Sequence, residues 1–132
     1  MHLLEKLLQI GTTLVPHPCF REQPTSISPL KDTQCSDGTV FTGCNIENAA
    51  YGVTICAERT AIFKAVSEGR RDFVRIAIAG RSEDYCVPCG SCRQVMMEFA
   101  PELEVICLNG KGESKTFALR ELLPYGFDRT WL

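Results

Sequence analysis

Residues Phe73–Gly80 read FVRIAIAG. Only Arg75 interrupts the apolar run, and the glycine closes it. A run of this length without polar alternation reads as a strand buried on both faces, the kind that lies between helices in an α/β sheet. The flanking segments have the helical period that such a sheet needs. Upstream, Cys56–Glu68 places Ala57, Ala61, Ile62, Ala65 and Val66 on one side and stops at Gly69. Downstream, Cys89–Phe99 is a second helix closed by Pro101, and Leu103–Leu108 is a strand ending at Asn109-Gly110. Lys115–Ala118 reads as another strand and Leu119–Leu122 as a short helix before Pro124. Before the central run, Thr39–Asn45 follows the Asp37-Gly38 turn signal as a strand, and Leu3, Leu4, Leu7 and Leu8 mark an amphipathic helix over Leu3–Ile10. Between them, Pro16, Pro18, Pro24 and Pro29 dissolve the pattern into loop, with at most an edge strand near Thr25–Ile27. Strands alternating with helices predict one three-layer α/β/α domain over residues 1–132 with a mixed central sheet.

The chain has 132 residues, enough for one core. It is 45% hydrophobic and 23% charged with a formal charge of −2, which fits a folded globular chain and excludes a strongly basic nucleic-acid footprint across the whole chain, though not a local patch. No apolar run has the roughly 18 residues of a membrane span. The start, MHLLEKLLQIG, has Glu5 in its apolar stretch and no basic n-region, so it makes a poor signal peptide and the expected location is cytoplasmic. Eight cysteines in a reducing compartment point to metal binding or catalysis rather than to a disulfide scaffold.

Two segments carry that chemistry: CAER at Cys56–Arg59 and PCGSCRQ at Pro88–Gln94. Cys89 and Cys92 are three apart at the start of a predicted helix, so both thiols face one way. Helix starts favour the thiolates that a metal requires. Cys56 opens the other helix, and three thiolates make three corners of a tetrahedral zinc site, the fourth being water in a catalytic centre. Glu58 is about 200° around the helix from Cys56, so it should not ligate the same ion. It is either a proton shuttle beside a zinc-activated water or a first-turn acid serving the helix dipole. Cys86 offers the alternative of a four-cysteine structural site, but Pro88 disfavours a helical Val87 and so separates Cys86 from the turn of Cys89.

TGCNIENAAYGVTICAERTAIFKAVSEG (Thr42–Gly69), PCGSCRQVMMEF (Pro88–Phe99) and ELLPYGF (Glu121–Phe127) together resemble the small zinc-dependent cytidine deaminases, in the variant whose ligands are all cysteine. The resemblance implies one zinc ion per chain on Cys56, Cys89 and Cys92, with Glu58 as proton shuttle and Cys86 spare. It implies hydrolysis of cytidine or deoxycytidine to uridine or deoxyuridine plus ammonia, a step of pyrimidine salvage. Three thiolates leave the site near −1, which weakens zinc as an acid. The resemblance assigns Arg59 to offset this by hydrogen bonding to sulfur. Asn45 and Glu47 resemble a ribose clamp, the Ala57 N–H would meet the pyrimidine carbonyl, Tyr51 would line the pocket, and Phe127 would reach into a neighbouring subunit. A homotetramer acting on a small nucleoside, and not on nucleic acid or membrane, is therefore expected.

One stretch departs from the family pattern. VPHPCF keeps Pro16 and Phe20 in step, Phe20 being matched by position to an aromatic that flanks the base, but an apolar strand is missing after it. Residues 1–36 are thus atypical, and no regular central strand is expected within Arg21–Ser36, because Pro24 and Pro29 lack an N–H and apolar alternation is absent. The competing readings are a non-enzymatic structural zinc protein, an inactive relative, and a deaminase acting on polynucleotide or on a nucleoside antibiotic.

Overall fold

In a computed structural model, which describes residues 31–80 and 82–132, the run Phe73–Ala79 is strand β3 at the centre of a five-stranded sheet. The other strands are β1 (Lys31–Cys35), β2 (Val40–Gly43), β4 (Glu104–Leu108) and β5 (Ser114–Ala118), in the order β2-β1-β3-β4-β5. The sheet is mixed as expected. β3 pairs parallel with β4, Ile76 facing Val105 and Ile78 facing Cys107, and every other pairing is antiparallel.

The two long helices are α1 (Ala57–Ser67) and α2 (Gly90–Phe99), and α3 (Leu119–Leu122) follows β5. Single 3-10 turns lie at Tyr51–Val53 and Arg129–Trp131. Expected boundaries hold to within about two residues: Cys56 and Cys89 are the N-caps of α1 and α2 rather than their first turns. Gly69 closes α1 at a φ of 85°, a left-handed conformation that glycine adopts without a Cβ clash.

Ile62 and Ala65 of α1, Met96 and Met97 of α2, and Leu119 of α3 pack with Ile76, Ile78, Val105 and Cys107 in one buried cluster. These four strand positions alternate, so they share one face of the sheet, and both long helices lie on it. Each large aliphatic side chain there contributes about 1.5–3 kcal/mol through burial. Ala77, Ile106 and Leu108 form a second buried cluster on the opposite face. The run FVRIAIA lacks polar alternation because β3 is buried on both sides through Ile76, Ala77 and Ile78, while Val74 is exposed. The helix expected at Leu3–Ile10, the possible edge strand at Thr25–Ile27 and the proline-rich loop as far as residue 30 lie outside the described residues.

β1 corrects the expectation that no regular central strand runs within Arg21–Ser36. It lies inside the sheet, paired with β2 through Thr33↔Phe41 and with β3 through Thr33↔Ile76. Its inward residues, Thr33 and Cys35, are fully buried but small, so period-2 burial leaves no large apolar alternation in KDTQC. Pro24 and Pro29 both precede the strand, and every residue from Lys31 to Cys35 keeps its ladder N–H.

Candidate metal and substrate site

β2 delivers the chain to the site. It ends at Gly43, where a Cβ would lie 2.2 Å from the Ala57 carbonyl oxygen and 2.5 Å from Ala61 N. Only glycine lets the start of α1 seat so closely on the strand. A two-way backbone pairing of Ile46 with Ile55, 2.8 and 3.0 Å, then folds the connecting loop back, bringing Asn45 alongside Cys56 and Ala57. Lys64 donates to the Thr42 carbonyl and ties the far end of α1 to the same strand.

The sulfurs of Cys56, Cys89 and Cys92 all lie within 4.8 Å of one another, among the described residues the one group of ligand-type side chains placed to hold a metal. None is in a disulfide. Cys56 Sγ is 3.8 Å from Cys89 Sγ. Zinc–sulfur bonds of about 2.3 Å at tetrahedral angles separate two sulfurs by about 3.8 Å. The donor set therefore fits zinc in both type and spacing. Cys86 lies outside the group, half-buried against the core.

The helix starts explain the electrostatics. Cys56 and Cys89 are N-caps whose side chains make no capping bond, so their thiols are turned to the cluster beside two positive dipole ends. Burial works to raise the Cys89 thiol, but the backbone N–H of Cys92 and hydrogen bonds from the Cys92 and Cys56 thiols outweigh it and lower its pKa. Burial, and then the Glu58 carboxylate, push the Cys92 thiol up. A divalent cation reverses that balance, because a coordinating thiol is deprotonated outright. Arg59 Nη2 lies 3.6 Å from Cys56 Sγ and 3.4 Å from the Thr54 carbonyl, and its bond to Cys56 holds the guanidinium charged. Glu58 is 1% exposed on the first turn of α1, and its carboxylate acts electrostatically on both Cys89 and Cys92.

Asn45 and Glu47 meet, Asn45 Nδ2 donating to Glu47 Oε1 at 3.3 Å. Asn45 Oδ1 also accepts from the Ala57 N–H at 2.9 Å, so in this structure that N–H serves Asn45. Tyr51 is 87% exposed on its 3-10 turn, and Phe127 is half-exposed and stacked on Trp131 at 5.9 Å between centroids. Phe20 lies outside the described residues.

Arg93 and Gln94, the last two residues of PCGSCRQ, hold the surroundings of the thiol group in place. Arg93 Nε donates to the Pro88 carbonyl at 2.8 Å and Nη1 to the Leu122 carbonyl at 2.7 Å. Gln94 Nε2 donates to the Phe127 carbonyl at 2.6 Å. They fix the approach to Cys89 and fasten the C-terminal segment to α2. Their signal was two long donor side chains directly after Cys92 on a first helical turn. Gly43 gave no such signal, because its role depends on a partner 14 residues away.

No helix among the described residues is long and apolar enough to cross a membrane. Residues 33–108 match the family model described as the cytidine and deoxycytidylate deaminase zinc-binding region. The chain is 52% identical over 92 residues to a cytidine deaminase of Halalkalibacterium halodurans, covering 69% of this chain and 70% of that protein. It is 48% identical over 94 residues to a cytidine deaminase of Sporosarcina psychrophila, covering 70% and 69%. The crystal structure of a cytidine deaminase from Burkholderia pseudomallei superposes with a TM-score of 0.74 at 43% identity, covering 80% of this chain and 86% of that one.

Proposed function

We infer the reaction from one premise: the chain belongs to the cytidine and deoxycytidylate deaminase family. It is an enzyme, a zinc-dependent cytidine deaminase with one zinc ion per chain, converting cytidine and water to uridine and ammonia. The observation that carries the reading is a buried carboxylate, Glu58, beside three convergent thiols at zinc spacing.

Cys56, Cys89 and Cys92 would hold the ion. When bound, zinc supplies Lewis acidity that lets a water molecule lose its proton near neutral pH. Glu58 takes that proton and passes it to N3 as the water oxygen attacks C4 of the pyrimidine. Glu58 then carries the remaining hydroxyl proton to the exocyclic amino group, the C4–N bond breaks, and ammonia leaves as the carbonyl forms. Its burial supports this role, because a carboxylate out of bulk water exchanges protons with the substrate and not with solvent. Arg59, at hydrogen-bonding range of Cys56 Sγ, draws charge from the sulfur and preserves the acidity that three thiolates would otherwise blunt.

Asn45 and Glu47 bind the sugar, as donor and acceptor to a hydroxyl; their mutual bond supports a shared partner. Ala57 and Tyr51 border the base, and Phe127 completes the pocket from a neighbouring subunit of a homotetramer. The exposure of Tyr125, Phe127, Trp131 and Leu132 favours burial of this segment between copies, and sedimentation at working concentration tests it. The chain works as a single domain in the cytoplasm. Against a four-cysteine structural site stands the position of Cys86 outside the thiol group.

The test is direct: purified chain with cytidine, following the absorbance change on conversion to uridine and the release of ammonia in equal amount. Zinc-loaded protein that leaves cytidine unchanged would sink the reading in favour of an inactive relative.

A further inference from the structure

Three side chains of α2 hold the segment Leu122–Phe127. Arg93 Nη1 donates to the Leu122 carbonyl at 2.7 Å, and Gln94 Nε2 donates to the Phe127 carbonyl at 2.6 Å. Between these anchors Gly126 is seated on Met97, where a Cβ would lie 2.9 Å from Met97 Cε and 2.9 Å from Leu123 Cδ2. Tyr125, inside the clasp, has a φ of 61°, and it is the one non-glycine residue among the described residues with a positive φ. Its own side chain is fully exposed, so no packing of the ring selects that conformation. A left-handed backbone at such a residue persists only where its surroundings over-determine it. The two carbonyl anchors and the Gly126 seat supply that constraint. The segment is thereby bent to one shape, and Phe127 leaves it half-exposed and stacked on Trp131.

We propose that Gln94 is a positioning residue for a site other than its own chain's: it fixes the backbone from which Phe127 reaches into the neighbouring subunit. The proposal rests on the reading of Phe127 as a contact to the base in that neighbour. Gln94 follows Cys92 by two residues, about 200° around the helix, so it serves the opposite side of α2 from the thiol group. Its bond goes to the backbone of Phe127 itself, the atom group that sets where the ring leaves the chain. Without the donor, the anchor at Leu122 remains but the end of the segment that carries the ring is released. The residue that follows the zinc ligands in sequence thus completes a pocket in a second copy of the chain. A defect at Gln94 should appear in the neighbour's site and leave its own metal and Glu58 in place.

The experiment uses mixed oligomers. Gln94→Met keeps the length of the side chain and suits a helix, but it cannot donate. Alone, with one zinc per chain and wild-type assembly, it should lose about 10- to 100-fold in kcat/KM on cytidine. The loss should lie mainly in KM, because stacking on the base is made before the transition state as well as in it. Gln94→Met chains are then co-expressed with Glu58→Gln chains under a second affinity tag, and oligomers carrying both tags are purified. A Glu58→Gln chain has a dead site of its own but an intact Gln94, which aims its Phe127 into a neighbour that keeps Glu58. At even mixing about a quarter of the sites combine Glu58 with a well-aimed Phe127, so kcat/KM should rise to about a quarter of the wild-type value. The same mixture with Phe127→Leu in place of Gln94→Met is the control. Recovery with Phe127→Leu but not with Gln94→Met overturns the proposal, as does Gln94→Met within a few-fold of wild type. Loss of zinc or of assembly in Gln94→Met marks a bond that holds the fold alone, and overturns it equally. Recovery with neither variant overturns the reading of Phe127 as a neighbour's residue, and a wild type that leaves cytidine unchanged overturns the function itself.

Discussion

Replacing Gly43 by alanine should damage catalysis through a residue that touches no substrate. Its Cβ would sit 2.2 Å from the Ala57 carbonyl oxygen, 2.5 Å from Ala61 N and 3.0 Å from Ala61 Cβ. A carbon tolerates a carbonyl oxygen at about 3.3 Å, so the start of α1 must retreat by roughly 1 Å. That turn carries Cys56, the Ala57 N–H and Glu58. A displacement of about 1 Å in a catalytic group costs about 10²-fold, and overpacking of this kind costs about 1–3 kcal/mol of stability. The assay is kcat/KM on cytidine, with zinc content and denaturant unfolding measured on the same preparation. Gly69→Ala is the control: at a φ of 85° it is strained, but open space surrounds its Cβ at the far end of α1. It should lose about 1 kcal/mol and keep full activity. Gly43→Ala within a few-fold of wild type, with zinc intact, would show that the close seating of α1 on β2 does not position the site.

Cys89→Ser should lose zinc while Cys86→Ser retains it, read as metal per chain after dialysis; loss in Cys86→Ser would restore the four-cysteine alternative. Arg70 bonds Asp37 and Asp72 at 2.8–3.0 Å and ties the β1–β2 turn to the start of β3. Those bonds hold both carboxyls well below the usual aspartate range, so the stabilisation is present at neutral pH and fades as pH falls below about 4. Arg70→Gln should therefore be less stable than wild type at pH 7 and converge with it in acid; a gap that stays constant with pH would contradict this.

Much of this molecule was legible in its sequence because burial on both faces removes polar alternation, as in FVRIAIA, and because metal chemistry needs thiols at fixed intervals, as at Cys89 and Cys92. β1 was not legible because Thr33 and Cys35 fill their space with little apolar bulk beneath α1. The capping of α1 by Asn45 was equally hidden. Asparagine is read locally as a turn residue, and its partner Ala57 is distant in sequence. The same holds for Arg93, whose acceptors include Leu122, and for Gln94, which reaches Phe127. Local rules find the ligands, whereas the contacts that aim them are long-range.

The central claim is that Glu58 moves the protons of a zinc-dependent deamination. Its most direct test is cytidine turnover by Glu58→Gln, in protein shown to hold one zinc per chain. The amide is close to isosteric and keeps the fold and the metal, but it cannot accept a proton. The account predicts a loss of about 10²- to 10⁴-fold in kcat. Turnover within a few-fold of wild type, with zinc bound, would remove Glu58 from the mechanism.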